Sequence, residues 1–191
     1  YLSDAVNESF ESLRAALGSE LGWDYLNTLE NAALSLTAIP QAGIDENWLY
    51  TGRAIALNQV PMEFGWMAFS REDYLGQTYW RIWLKCFQQD GTCGSPVRSQ
   101  VWDFKARYSN DRTAVENGGK ANGLLEGYWL DFTEFASRYG WQRLPANSNW
   151  RTYYPGAQAN ILVLRESLAW KDAMLQLYPI ETIESMRMPT P

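Results

Sequence analysis

The 191 residues and their 46% hydrophobic content suit one globular domain with a sizeable core. The formal charge of −6 argues against nucleic acid or an anionic membrane surface as partner, because both reward clustered Lys and Arg and this chain scatters its 16. The chain has no histidine, which excludes Ser-His-Asp triads, Cys-His pairs and His-based zinc hydrolysis, and no apolar run approaches the ~20 residues of a membrane span.

Helices are predicted at both ends of the chain. An amphipathic helix over residues 3–17, ended by Gly18, follows from apolar residues at helical spacing, and it forms an N-terminal segment of its own over residues 1–22. A second helix from Trp23 to Leu36 opens the main domain, residues 23–180. The apolar positions of the first helix are Leu2, Val6, Phe10, Leu13 and Leu17.

The middle of the chain is predicted to be rich in strands. Candidates are Gly52–Leu57, Phe64–Phe69, Tyr79–Phe87 and Asn160–Leu164. In Tyr79–Phe87 the alternation places one set of side chains in the core: Trp80, Ile82, Leu84 and Cys86. The other face is either a sugar- or partner-binding surface or a face covered by a helix or loop; it carries Tyr79, Arg81, Trp83, Lys85 and Phe87.

The two cysteines, Cys86 and Cys93, are spaced for a hairpin disulfide. If residues 88–91 form a four-residue loop, Phe87 faces Thr92 and the two cysteines lie opposite each other, within disulfide reach. Two free buried thiols are the alternative. A structural disulfide favours an oxidising compartment, so we expect an extracellular or cell-surface location.

Later in the chain, Asp131 is predicted to cap a short helix that ends at Gly140, and a last helix runs from Ser167 to Tyr178. Residues 181–191 then form a tail whose end is typical of a proline-rich linker or of an ordinary loose terminus. The start at Tyr1, without Met, indicates a processed product or a piece of a longer protein. These elements predict an α+β fold with a central, mostly antiparallel sheet flanked by helices.

The segment Leu49-Tyr-Thr-Gly-Arg-Ala-Ile-Ala56 resembles the first motif of zinc-dependent D-alanyl-D-alanine carboxypeptidases of the Hedgehog-like fold, His-x-x-Gly-x-Ala-x-Asp. Their last motif, Glu-x-Trp-His, falls on the residues from Gln158 to Ile161, upstream of the Leu168–Met174 segment. The stretch from Gly127 to Trp141 also resembles the family's helix before its final strand. The resemblance implies a Hedgehog/DD-peptidase-like fold.

In that family the two His and the Asp bind zinc and the Glu is the general base. Here the ligand positions carry Leu49, Ala56 and Ile161, which offer no lone pair, and the base position carries the neutral amide Gln158. The resemblance therefore implies a catalytically inactive domain without metal or cofactor.

Two non-enzymatic hypotheses follow. A pseudo-peptidase could keep affinity for peptidoglycan through the rest of its groove, with Arg53, Trp150, Arg151 and Trp83 as contacts and an open cleft beside Arg53. A structural or adhesive module of a self-associating surface assembly would instead use the ten Trp and other aromatics for packing against copies or protein partners, and a flat apolar patch would favour it.

A carboxylate-based glycosidase is a third hypothesis, because Asp103 and Asp131 both lie among aromatic residues. A helix cap for Asp131 and a turn or strand-end position for Asp103 are the simpler interpretations.

Overall fold

A computed structural model describes residues 2–36 and 46–187 of the chain. Its helices and antiparallel strands confirm the predicted α+β class. The helices are α1 (Asp4–Leu21), α2 (Val60–Glu63), α3 (Arg112–Glu116), α4 (Phe132–Ser137), α5 (Trp170–Leu175) and α6 (Ile180–Arg187). The strands are β1 (Leu29–Asn31), β2 (Ala54–Leu57), β3 (Met67–Tyr74), β4 (Gln77–Lys85), β5 (Ser95–Pro96), β6 (Gln100–Asp103), β7 (Lys120–Leu124), β8 (Tyr128–Asp131), β9 (Gln142–Arg143) and β10 (Ile161–Val163).

The strands form three antiparallel sheets within the described residues rather than the single central sheet that was predicted. One four-stranded sheet has the order β1-β2-β10-β9, a second has the order β3-β4-β8-β5, and β6 pairs with β7. The first sheet separates two apolar clusters, because Ile55 and Leu57 of β2 pack into the main core while Ala54 and Ala56 pack into a second cluster. Strand alternation therefore buries β2 on both faces.

Helix α1 packs directly on the main core. Its buried residues recur at helical spacing and share one cluster with the strands of both four-stranded sheets. The predicted stop at Gly18 is wrong: the apolar stripe continues to Leu21, and the helix ends where Gly22 takes a left-handed φ of 79° and donates its N–H to the Gly18 carbonyl. The segment predicted to stand alone thus shares the core of the domain.

The predicted second helix, Trp23–Leu36, is not formed. The chain makes a short 3-10 turn at Tyr25–Asn27 and then β1, which pairs with β2. Sheet pairing and the burial of the consecutive Tyr25 and Leu26 override the helical spacing of the leucines.

The central strand predictions are largely confirmed. Strand β4 covers most of Tyr79–Phe87, and its predicted core face is at most 1% exposed. Strands β2 and β10 lie inside their predicted ranges, whereas β3 begins at Met67 and runs past Phe69 to Tyr74. The core-face residues are Trp80, Ile82, Leu84 and Cys86.

The Cys86–Cys93 disulfide is present, with 5.9 Å between the Cα atoms, but the predicted hairpin is wrong. After the loop, β5 pairs with β8, and β8 lies between β4 and β5. The disulfide therefore joins the ends of two strands that are not neighbours in the sheet.

In the C-terminal half, one predicted helix cap is confirmed and the predicted helix ends are wrong. Asp131 accepts the Glu134 N–H as the N-cap of α4, which ends at Ser137, before Gly140. The last predicted helix shrinks to α5, and the stretch predicted as a tail begins as α6, whose Ile183 is buried in the second cluster. Burial of an apolar side chain explains why this stretch is ordered as a helix.

Candidate functional site

The three positions that the resemblance assigned to lost zinc ligands lie together. Ala56 on β2 is directly opposite Ile161 on β10, and Leu49 lies in the 3-10 turn just before β2. Leu49 and Ala56 are buried in the second apolar cluster, and Ile161 packs against it. The residues present do not fit a zinc ion, because none of the three side chains carries a donor atom.

Gln158, at the lost-base position, has a structural task. It takes a left-handed φ of 50° after the Tyr154–Ala157 turn. Its buried amide donates to the Pro145 carbonyl at 2.9 Å and to Asn147 Oδ1 at 3.1 Å. The side chain therefore anchors a neighbouring loop.

Two of the predicted contact residues are buried. Arg53 is 4% exposed, and its guanidinium bonds Glu166 Oε2 at 2.8 Å and Gln176 Oε1 at 3.2 Å. Trp150 is 3% exposed and packs edge-on against Trp80. Both predictions are wrong as surface contacts, because long-range packing that local sequence does not reveal has enclosed them.

The other two predicted contacts remain partly accessible. Arg151 is exposed, with its guanidinium 5.1 Å from the Trp150 ring centroid. Trp83 is half-buried: its indole N–H donates to Ser70 Oγ at 2.9 Å, and the ring packs on a small cluster that includes Val97 and Trp129. The middle of this strand face is thus covered by a loop, as one of the two sequence interpretations expected.

The open end of the same face forms a groove of about 470 Å³, which we call the aromatic groove. Phe64 is 72% exposed and Phe87 58% exposed. Trp66 stacks on Phe87 with ring centroids 6.5 Å apart, and Trp23 meets Trp66 edge-on at 6.0 Å. The groove is lined by Trp23, Asn58, Val60, Pro61, Phe64, Trp66 and Phe87.

The walls of the aromatic groove are held in place from below. The Trp23 indole N–H donates to the Lys85 carbonyl at 3.3 Å, and the Phe87 N–H donates to the Leu21 carbonyl at 3.0 Å. The Lys85 ammonium lies 5.8 Å from the Trp66 ring centroid, within cation–π range. A largely apolar, preformed concavity with few polar groups is suited to binding.

A second groove, of about 360 Å³, lies beside α2 and shares Val60 with the aromatic groove. Burial raises the pKa of Tyr154 in this groove to about 12, so its phenol stays neutral, and its hydroxyl contacts Gln59. The charged residues at its rim, Glu63 and Lys105, pair with each other at 3.2 Å. These polar and charged side chains of the groove are therefore bonded to one another.

The carboxylates considered for glycosidase chemistry are both occupied. Asp103 accepts the backbone N–H groups of Lys105 and Ala106 as the cap of a 3-10 turn. Asp131 caps α4 and also pairs with Arg81. Both follow the simpler interpretation given to them from sequence.

Among the described residues, no cluster of three or more Cys, Asp or Glu side chains is arranged to hold a metal ion. None of the described helices is long and apolar enough to cross a membrane.

Sequence reasoning did not identify the aromatic groove, although a signal was present. Phe64 and Trp66 precede β3 and Phe87 follows β4, so antiparallel pairing of these strands brings the three rings to one end. The sequence alone gave neither the pairing of β3 with β4 nor the start of β3 at Met67, and both are needed to place these rings together.

Comparisons of the chain with protein families, with curated proteins and with solved structures gave no match.

Proposed function

We propose that this chain is a non-catalytic structural module of an extracellular or cell-envelope assembly, and that it associates with other copies through the aromatic groove. The observation that carries this proposal is the open concavity lined by Trp66, Phe64 and Phe87, two of whose rings are more than half exposed. Exposed apolar concavities of this kind mark binding sites, and aromatic residues are enriched where proteins meet.

A relationship to zinc carboxypeptidases is part of the proposal. It is supported by the pairing of Ala56 with Ile161 on neighbouring strands and by the burial of Leu49 in the apolar cluster that contains Ala56 and contacts Ile161. With those side chains and with Gln158 bonded to a loop, the ancestral cleft has become core.

Peptidoglycan binding is the second candidate, and the burial of Arg53 and Trp150 weakens it. The Arg53 guanidinium, beside which this hypothesis required an open cleft, is bonded to Glu166 and Gln176. The disulfide supports a location in an oxidising compartment for either candidate.

The test is sedimentation of the purified chain alone and with intact peptidoglycan sacculi, comparing the natural chain with Phe64→Ser and Phe87→Ser. We expect concentration-dependent self-association that both substitutions weaken at least tenfold. The matched control is Leu124→Ser. Leu124 is about as exposed as Phe87 but does not line the aromatic groove, so this substitution should leave association unchanged.

Pelleting only with sacculi, lost in the groove variants, would replace self-association by wall binding. A chain that stays monomeric and soluble in both experiments would overturn the proposed function.

A further inference from the structure

The turn between β3 and β4 presents an unusual apolar tip. Tyr74 and Gln77 are the last paired residues, so Leu75 and Gly76 form a two-residue turn. Leu75 is 83% exposed and Tyr74 65% exposed. Neither side chain belongs to an apolar cluster of the described residues, and we call Tyr74 and Leu75 the hairpin tip.

The backbone conformation at the tip is unfavourable for leucine. Leu75 has φ 49° and Gly76 has φ 77°, and a turn with positive φ at both central residues is type I′. Asn or Gly is preferred at the first position, because a left-handed backbone disfavours other L-residues. A leucine at this position lowers folding stability and leaves its apolar side chain exposed. This combination indicates that the side chain contacts another molecule.

The hairpin tip and the aromatic groove lie at opposite ends of the same two strands. Trp66 directly precedes β3 and Phe87 lies just after β4, whereas the tip joins their other ends. A strand of this length spans about 25 Å. A tip therefore cannot reach the groove of its own chain, but it can reach that of another.

We propose that the hairpin tip of one copy inserts into the aromatic groove of a second copy. This inference rests on the proposed function and names the surface that the groove receives. The groove, at about 470 Å³, is open and apolar, and the tip supplies apolar side chains that project from the fold.

The charges at the two ends leave the contact to the apolar side chains. The Asp73 carboxylate, next to the tip, already pairs with Arg71 at 3.0 Å. The Lys85 ammonium beside the groove lies over the Trp66 ring. The exposed Leu75, in a backbone conformation that disfavours leucine, therefore favours the tip over a second groove as occupant.

The contact uses two different surfaces, so it is heterologous. Each bound pair leaves one tip and one groove free, and such contacts continue into rings or open filaments instead of closing at a dimer. A groove-to-groove contact, by comparison, would close as a two-fold dimer and leave the tip unused.

The experiment is sedimentation velocity over a concentration series with tip and groove variants. Leu75→Asn suits the type I′ turn better than leucine does, so the variant should fold at least as stably while losing the apolar knob. We expect the natural chain to form species larger than a dimer, and both Leu75→Asn and Phe87→Ser to sediment as monomers. Phe64→Ser serves as the second groove variant should Phe87→Ser fail to fold.

The decisive arm mixes the two monomeric variants. Leu75→Asn keeps its groove and Phe87→Ser keeps its tip, so the mixture has one productive contact and should form a 1:1 dimer and nothing larger. The control Leu124→Asn should assemble as the natural chain does.

Association that survives Leu75→Asn but not the groove variants would overturn the tip as occupant and leave the proposed function standing. A natural chain that is monomeric at all concentrations would overturn both. An equimolar mixture that stays monomeric would also overturn the tip-in-groove contact.

Discussion

Glu72 shows how single residues join the two four-stranded sheets. This β3 carboxylate lies 2.5 Å from Arg81 Nε on β4 and 2.6 Å from Arg143 Nη1 on β9. Arg81 also pairs with Asp131, and the Arg143 guanidinium lies over the Tyr79 ring. The charges on this strand face, which from sequence could have served a ligand, are largely used to connect elements.

The linkage predicts a pH dependence of stability. Burial alone would raise the pKa of Glu72, but its bonds with Arg81 and Arg143 outweigh burial and hold that pKa below the ordinary 4.5. A depressed carboxylate pKa stabilises the fold above its unfolded-state value and loses this contribution as the pH falls through the folded-state value. Stability should therefore decline below about pH 4.5.

Glu72→Gln should lower the free energy of unfolding by about 1–2 kcal/mol at pH 7 and should flatten the decline between about pH 5 and 3. Urea denaturation of both proteins at these pH values measures the effect. The control is Glu116→Gln, since Glu116 pairs with the exposed Arg112 one helical turn away. Equal pH dependence in the natural chain and in Glu72→Gln would show that the network contributes nothing.

Residue roles were predictable where they depended on neighbours in sequence. The Asp131 cap and the β4 core face followed from spacing alone. The prediction of Arg53 as a surface contact failed because its partners, Glu166 and Gln176, come more than 100 residues later in the sequence. No local pattern distinguishes a buried arginine from an exposed one. The burial of Trp150 against Trp80 is equally non-local.

At the scale of elements, local periodicity succeeded for α1 and β4 and failed at Trp23–Leu36. Strand β1 exists because β2 offers it a partner, which is information that its own three residues do not contain. The disulfide gives a second example. The cysteine spacing predicted the bond correctly but the hairpin wrongly, because a strand from residues 128–131 lies between β4 and β5.

Removing the disulfide should destabilise the fold and loosen the aromatic groove. Cys86→Ser with Cys93→Ser opens a short loop, for which chain entropy gives a loss of about 2–3 kcal/mol. Phe87 directly follows Cys86, so its ring should lose its fixed place beside Trp66. Guanidinium denaturation with and without reductant measures the first effect, and the serine variant itself should be insensitive to reductant.

Association measured on the folded serine variant reports the second effect. We expect it to be weaker than that of the oxidised natural chain. Unchanged association would show that the disulfide does not support the groove.

The whole molecule is organised around the sheet that joins distant parts of the chain. Strands β2 and β10 are neighbours although about 100 residues separate them, and α1 covers the core that they share with the second four-stranded sheet. Composition and periodicity could predict the α+β class but not this pairing. The proposed relationship to zinc carboxypeptidases would place the Leu49–Ala56 segment near Ile161, and Ala56 does lie opposite Ile161 in the sheet.

That juxtaposition permits a test of the resemblance by restoring the ligands. A chain carrying Leu49→His, Ala56→Asp and Ile161→His would place three donors where the family has them, with the two strand positions directly opposite each other. Burying these polar groups without metal should destabilise the fold by several kcal/mol, at roughly 2–7 kcal/mol per unpaired group.

Zinc should then bind the restored chain at one ion per molecule and raise its melting temperature, because a ligand that binds only the folded state stabilises it. Metal content after dialysis and thermal unfolding with and without zinc measure this. The control carries Leu49→His and Ala56→Asp with Ile161 retained, and it should bind zinc far more weakly because a hydrolytic zinc site takes three protein ligands. Equal zinc binding by the two variants would mean that the three positions never formed one site. Peptidase activity should stay absent even in the restored chain, since the amide of Gln158 cannot take a proton from a metal-bound water.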